Sequence, residues 1–348
     1  MNRPIYRTKS RSGGSDLTEP MRPHERLLYS PITERPPLRL PGGARVAVWT
    51  VVNLEVWDIA RAMPRTVLTP PMGVPQLPDV PNWAWHEYGM RVGVWRFFEL
   101  FRSLGIKPTA AINGQLCDRY PQIVSTAKAD GWEFIAHGHE QRPMQTVADQ
   151  PASIRQALDT IEAATGTRPI GWLAPGMTQT FETPDFLAAA GLKYTGDYVH
   201  DDEPSWMKTA HGDMVTLPYT FDMNDITVMA LAHHEGKHFY ERGVDQFTQL
   251  HKEGAKRAKI MPIPIHAYLS GQPHRFIHLE KLYRFLAAQS GVVFMSGAEI
   301  HDWFLGESRM ANKRKGGRVV PLPRERAARR AARAAIVRPG RGGRSPRR

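Results

Sequence analysis

The chain has 348 residues, of which 41% are hydrophobic, enough to bury a substantial core in one large domain or two ordinary ones. We find no apolar run long enough to span a bilayer and no signal-peptide pattern at the start. The single cysteine, Cys117, excludes an internal disulfide and a cluster of thiolate metal ligands. These features favour a cytoplasmic enzyme without a membrane partner.

The net charge of +12 is concentrated at the C-terminal end of the chain. After position 308 there are 15 basic residues and one acid, Glu325, which leaves 31 basic and 33 acidic residues before it. The main part is therefore near neutral, and its charge does not identify a partner. We expect 1–40 to form an irregular arm and 307–348 a basic disordered tail. Nucleic acid is expected to bind only through this tail, if at all.

Strand and helix patterns then alternate at least five times, which favours parallel strands with helical crossovers. The predicted strands are 45–53, 108–112, 133–136, 169–173, 193–196, 214–217, 226–231, 260–265 and 292–295. The predicted helices are 94–104, 121–129, 150–165, 183–191, 243–254, 279–289 and 298–304. Between the first strand and the first helix lies a long proline-rich loop, and loops of this length are usually functional. No glycine-rich phosphate loop follows the first strand, so we expect a (β/α) barrel, distorted or incomplete, rather than a dinucleotide fold.

Polar residues follow many of the predicted strands. They are Asn53, Glu55, Asn113, His137, His139, Pro175, Asp197, Asp201, Asp202, Asp222, Asn224, Asp225 and His266. Because the carboxyl ends of parallel strands meet at one rim of a barrel, we expect a functional site there. Carboxylates and imidazoles together can activate water and protonate a leaving group, or can bind a divalent metal. The pattern therefore indicates hydrolysis.

The order and spacing of the motifs resemble the polysaccharide deacetylase superfamily (NodB-homology fold), and within it the allantoinase-like branch. The resemblance covers about 22–304 and rests on VVNLEVWD, EYGMRVGVWRFFELF, EFIAHGHE, GWLAPGMTQTFETPDFL, YTGDYVHDDEPSWM, LPYTFDMNDI and IPIHAYLSGQPHR. It implies a distorted (β/α) barrel with about seven parallel strands, which we place at 41–306. It also implies hydrolysis of C–N bonds other than peptide bonds.

The resemblance carries over the family's metal site only in part. The deacetylases of the family bind a divalent metal through a first-strand aspartate and the two histidines of an HxxxH motif. Glu55 lies near the position of that acid and His137 matches the first histidine, but Gln141, a poor zinc ligand, replaces the second. On an extended segment His139 would point the same way as His137 and could substitute. The resemblance leaves two possibilities open, because the allantoinase-like branch also lacks the full triad. Either a metal such as zinc is bound by Glu55, His137 and His139, or no metal is bound.

We predict a hydrolase that cleaves a C–N bond in a linear or cyclic amide, ureide or imide of a small substrate. In this hypothesis Glu55 is the general base, His266 protonates the departing nitrogen and His137 polarises the carbonyl. The predicted substrate-binding residues are Asn53, Trp83, Trp85, Trp172, Pro175 and Asp202. Asp202 would also orient His137 or His266.

Two alternatives stay open from the sequence. One is a metal-dependent deacetylase of N-acetylated sugars, which stoichiometric zinc would favour. The other is a binding protein that keeps the pocket without catalysis. The sequence does not decide whether the chain forms a homo-oligomer, as relatives in the branch often do.

Overall fold

The computed structural model describes residues 19–314, which contain one twisted sheet surrounded by helices. The strands are β1 (Val46–Leu54), β2 (Thr109–Ile112), β3 (Glu133–Ala136), β4 (Gly171–Trp172), β5 (Tyr194–Thr195), β6 (Ser205–Met207), β7 (Met214–Thr216), β8 (Lys259–His266) and β9 (Val292–Phe294). Their order is β6-β7-β5-β4-β3-β2-β1-β8, and β9 pairs with the start of β1. The pairings are parallel except for β6 with β7. The expected open barrel of mostly parallel strands is confirmed.

The centre of the sheet is the pair β1 and β8. Every residue of both strands is buried, as in strands that are covered on both faces. Their register pairs Asn53 with His266, so both strands end at the same rim. β2 continues along the other side of β1 and pairs Leu54 with Ile112. This register brings the polar residues after β1, β2 and β8 into one place.

Helices connect most of the strands, as the alternating pattern predicts. They are α1 (Pro23–Arg26), α2 (Val80–Tyr88), α3 (Val94–Leu104), α4 (Leu116–Arg119), α5 (Pro121–Ala129), α6 (Gln150–Thr165), α7 (Thr183–Ala189), α8 (Gly236–Gly254), α9 (Pro273–Ala287) and α10 (Gly297–Arg314). The sequence sets the ends of α6: the Asp149 side chain accepts from the Ala152 N–H, and Gly166 ends the helix in the left-handed region. No helix of the described residues is long and apolar enough to cross a bilayer.

Two predicted elements are wrong. The segment Ile226–Leu231 is a π-helix rather than a strand, because its apolar residues alternate too weakly to exclude a helical turn. The proline-rich loop also contains α2, which the Asp79 side chain caps by accepting from the Asn82 N–H. The antiparallel strand β6 is only three residues long, and the sequence pattern did not predict it.

Tight backbone packing holds the segment after β8 in place. A Cβ atom on Gly93 would lie 2.2 Å from the carbonyl oxygen of Ala267, and one on Gly89 would lie 2.4 Å from the Tyr268 nitrogen. Only glycine allows this approach, which explains the two glycines of the EYGMRVG motif. The π-helical turn Gly89–Gly93 therefore supports the residues that follow His266.

The N-terminal arm closes the open side of the sheet. The carbonyl oxygens of Leu38 and Asp202 accept from Ala258 and Ile260 at β8. Nearby, Arg257 Nε lies 2.7 Å from Glu203, a carboxylate that is almost fully buried. Arg257 also donates to the Arg35 carbonyl at 2.9 Å, so the end of the arm is joined to the barrel near Leu38 and Arg35.

The closing helix is longer than the sequence pattern indicates. α10 continues to Arg314, whereas the predicted domain ends at 306. The remaining parts of the predicted arm and tail, 1–18 and 315–348, lie outside the described residues.

Candidate active site

A cavity of about 310 Å³ opens at the carboxyl ends of the central strands. The residues that line it come from several loops, and include Asn53, Glu55, Arg65, His137, Gln141, Arg142, Leu173, Pro175, Tyr219, Asn224, Thr227 and His266. Its size suits a small molecule. The cavity lies where a parallel barrel is expected to hold its site.

Glu55, just after β1, is the centre of the site. Its Oε1 atom lies 3.9 Å from His137 Nε2 and 3.7 Å from His266 Nε2. Its Oε2 atom accepts from the Trp57 indole N–H at 2.7 Å and lies 3.5 Å from the Tyr268 hydroxyl. Burial acts to raise the pKa of Glu55, but the two imidazoles and the indole outweigh it and lower the pKa to about 2. Glu55 is therefore a carboxylate at neutral pH.

His266 is held by a buried carboxylate. Asp225 Oδ1 lies 2.7 Å from His266 Nδ1, and Asp225 Oδ2 accepts from the His266 backbone N–H and the Ser270 hydroxyl, each at 2.7 Å. Asp225 is fully buried, so its charge acts on the imidazole without screening by solvent. Because the Asp225 carboxylate can only accept, His266 Nδ1 carries a hydrogen. The other ring nitrogen, Nε2, faces Glu55.

His137 is held by a neutral partner. Its Nδ1 atom lies 2.6 Å from the carbonyl oxygen of Leu173, which can only accept, so Nδ1 carries the hydrogen. Its Nε2 atom is buried and has no hydrogen-bond partner among the described residues. The Nε2 atoms of His137 and His266 thus both face Glu55 Oε1 in the cavity. Such a set is suited to holding a water molecule or a proton.

A metal of the deacetylase type does not fit this arrangement. The Gln141 amide oxygen accepts from Asn113 Nδ2 at 3.1 Å, which leaves the Gln141 NH₂ group, a donor, for the cavity. Among residues 19–314, no group of three or more His, Cys, Asp or Glu side chains is placed to hold a metal ion. We therefore derive no catalytic step through a metal.

His139 does not join His137, which corrects the proposed metal set Glu55, His137 and His139. β3 ends at Ala136, and Gly138 has a φ of 71°, so the alternation of an extended strand does not continue. The His139 ring instead packs against Gly114, where a Cβ would lie 2.5 Å from its Nδ1 atom. His139 is absent from the cavity lining.

The predicted substrate-binding residues divide into two groups. Asn53 and Pro175 line the cavity. Trp172 is fully buried in the core, and Trp83 packs against the same core, so neither reaches the cavity. Trp85 lies behind the site, where its ring meets Trp57 at 6.3 Å and Tyr268 at 4.9 Å.

Asp202 does not orient either histidine, which corrects the role given to it. Its carboxylate pairs with Lys259 Nζ at 2.9 Å at the open side of the sheet. Asp225 orients His266 instead. Both acids belong to the polar residues that follow predicted strands, but only the fold shows which of them faces an imidazole.

Two further residues near the site were missed, and a third, Asp197, was noted only as a residue at a strand end. Trp57 and Tyr268 contact Glu55 Oε2, and the WD in VVNLEVWD was the only sequence signal for the first. The two carboxylate oxygens of Asp197 differ. Oδ1 accepts from the Ala174 N–H at 2.7 Å, whereas the buried Oδ2 atom has no hydrogen-bond partner among the described residues. Burial raises the pKa of Asp197 to about 6, against the lowering effects of the Ala174 N–H, Thr195 and His137.

Comparisons with known proteins point to one family. The family model described as polysaccharide deacetylase matches residues 85–195. A Schizosaccharomyces pombe protein named "Putative polysaccharide deacetylase" is 28% identical over 59% of this chain and 70% of its own. A peptidoglycan deacetylase from Helicobacter pylori is 23% identical over 62% of this chain and 84% of its own.

The crystal structure of PuuE allantoinase has the same fold. It superposes with a TM-score of 0.69 at 25% identity, and covers 78% of this chain and 94% of that chain. Over these regions the chain is similar to the polysaccharide deacetylase superfamily, hydrolases that cleave C–N bonds other than peptide bonds.

Proposed function

We propose that this protein hydrolyses a linear or cyclic amide, ureide or imide of a small substrate without a catalytic metal. The observation that carries the proposal is the position of Glu55 Oε1, which faces both His137 and His266 at the base of the cavity. The similarity to an allantoinase supports a ureide-like substrate, and Gln141 in place of a metal-binding histidine argues against the metal-dependent deacetylases.

The attacking water is activated by Glu55. The 3.9 Å between Glu55 Oε1 and His137 Nε2 is too long for a direct hydrogen bond, which leaves Oε1 free to accept from a water molecule. A water held in this way keeps a lone pair for the substrate carbonyl carbon. Glu55 accepts the proton of the water as the new C–O bond forms.

His266 transfers that proton to the departing nitrogen. Its Nε2 atom lies 3.7 Å from the same Oε1 atom of Glu55, so one carboxylate oxygen connects the water to the acid. Asp225 stabilises the imidazolium that forms on His266. Protonation of the nitrogen then allows the C–N bond to break, which produces a carboxylic acid and an amine or amide.

His137 polarises the substrate carbonyl. Its Nδ1–H is fixed on the Leu173 carbonyl, so a protonated ring would direct Nε2–H into the cavity. A donor at this point stabilises the negative charge that develops on the carbonyl oxygen.

The test is a panel of ureides, imides, linear amides and N-acetyl sugars assayed with wild-type protein and Glu55→Gln. Because glutamine cannot accept the proton, we expect turnover to fall by about 10²- to 10⁴-fold. Glu280→Gln is the matched control, since Glu280 pairs with Arg284 on α9 outside the cavity lining and should leave turnover unchanged.

Full activity in a folded Glu55→Gln variant would exclude this mechanism. Turnover of N-acetyl sugars alone, lost on chelation, would show the metal-dependent deacetylase instead. No turnover of any panel member would favour a binding protein.

A further inference from the structure

The cavity has an arginine that the reaction above does not use. Arg65 lines the cavity, and no carboxylate among the described residues lies within 4.0 Å of its guanidinium. It lies beside the Tyr268 hydroxyl, where its charge and hydrogen bonding oppose the rise in the Tyr268 pKa that burial causes. A cationic side chain without a carboxylate partner in the wall of a cavity is suited to binding an anionic group of the ligand.

The position of Arg65 separates it from the reacting groups. Tyr268 contacts Glu55 through Oε2, whereas the two histidines face Oε1. Arg65, beside the Tyr268 hydroxyl, therefore lies nearer to the Oε2 atom of Glu55 than to the pair of histidines at Oε1. The cavity of about 310 Å³ can hold both ends of one small molecule.

Two other residues that line the cavity can also donate. Arg142 lines the cavity while its guanidinium donates to the Thr146 carbonyl at 2.7 Å and lies 3.8 Å from Glu140. Gln141 offers its NH₂ group, because its oxygen accepts from Asn113. Glu140, which also pairs with Arg61, compensates part of the Arg142 charge. Arg65 is therefore the stronger candidate for binding an anionic group of a ligand.

We infer that Arg65 forms a carboxylate subsite, and that the substrates of this enzyme are small amides or ureides that carry a carboxylate. A guanidinium matches a carboxylate through two parallel N–H···O bonds, which gives orientation as well as affinity. The inference rests on the proposed function and names the substrate class for the same site.

The test measures binding, so that it does not depend on turnover. Hydantoin-5-acetate and its neutral counterpart hydantoin-5-acetamide are titrated by calorimetry into wild-type protein, Arg65→Gln and Arg61→Gln. Wild type should bind the carboxylate about 10- to 100-fold more tightly than the amide, as expected for hydrogen bonds to a charged group. Arg65→Gln should lose this preference. Arg61→Gln should retain it, because Arg61 is half exposed, pairs with Asp58 and Glu140, and is absent from the cavity lining.

Equal binding of the two compounds to wild type, no binding of the carboxylate, or a preference that survives Arg65→Gln would each overturn the subsite. These results would leave the proposed function intact if neutral amides are hydrolysed. Conversely, a carboxylate preference that depends on Arg65 in a protein without turnover would support the subsite and contradict the proposed hydrolysis. For any carboxylate substrate that is hydrolysed, Arg65→Gln should raise KM and leave kcat nearly unchanged.

Discussion

The two histidines that face Glu55 differ in what holds them. His266 Nδ1 lies against the Asp225 carboxylate at 2.7 Å, whereas His137 Nδ1 lies against the Leu173 carbonyl at 2.6 Å. A buried carboxylate stabilises a positive imidazole strongly, while a carbonyl fixes the ring with less charge. The difference supports proton transfer by His266 and orientation of the substrate by His137.

The carboxylates behind the two histidines differ as well. Both oxygens of Asp225 accept hydrogen bonds, so the charged form is satisfied. Near His137, Asp197 has one oxygen without a partner among the described residues, and burial raises its pKa to about 6. The residues around His266 therefore stabilise a positive charge on its ring, whereas the residues around His137 stabilise such a charge less.

Among the substitutions that test the two histidines, Asp225→Asn should lower kcat the most. Asparagine cannot stabilise the His266 imidazolium and can stabilise the wrong tautomer, so we expect kcat to fall by about 10³-fold or more. The measurement is steady-state turnover of the best panel substrate, with thermal unfolding as the check on folding.

The control is Asp222→Asn, an exposed acid nearby that does not line the cavity. It should retain wild-type kcat. Near-normal kcat in a folded Asp225→Asn protein would show that the carboxylate does not support proton transfer.

His137→Gln should have a smaller effect. If His137 only polarises the carbonyl, its loss removes one donor at the developing oxyanion and lowers kcat by about 10²-fold. A larger loss than that of Asp225→Asn would reverse the roles given to the two histidines.

Asp197→Asn should change stability more than the chemical step. A raised pKa means that the folded state binds the proton more tightly than the unfolded state, so burial of Asp197 costs stability as pH rises from about 4 through 6 and above. Asparagine removes this cost and can still accept from the Ala174 N–H. We expect a gain on the order of 1 to 3 kcal/mol in the free energy of unfolding at pH 8, and almost none at pH 4.

Urea unfolding at the two pH values measures this difference. The same gain at both pH values would mean that Asp197 is not protonated in the folded state. A loss at both would mean that the carboxylate has a partner that asparagine cannot replace.

The sequence alone was sufficient to predict the barrel and to place three polar residues at the ends of its strands. Long buried strands such as β1 and β8 have an unmistakable apolar pattern, and Glu55, His137 and His266 follow strands directly. The rim of a parallel sheet then brings them together whatever the details of the loops. The confirmed fold depends on these regular features.

Residues placed by loops and irregular turns were not predictable in the same way. Asp225, which is 41 positions from His266 in sequence, contacts it from the residue just before the π-helix Ile226–Leu231, a segment that the apolar pattern presents as a strand. His139 turns away because of the left-handed backbone at Gly138, which one glycine in the sequence does not reveal. Trp172 belongs to the core because β4 directs it there, although it adjoins Leu173 and Pro175, which line the cavity.

The central claim is that Glu55 and its two histidines activate water without a metal. The most direct measurement is turnover of the best panel substrate by protein that has been dialysed against a strong chelator, with the metal content of the same sample determined. The account predicts undiminished turnover at a metal content far below one ion per chain. Activity that disappears on chelation and returns in proportion to added zinc would contradict it.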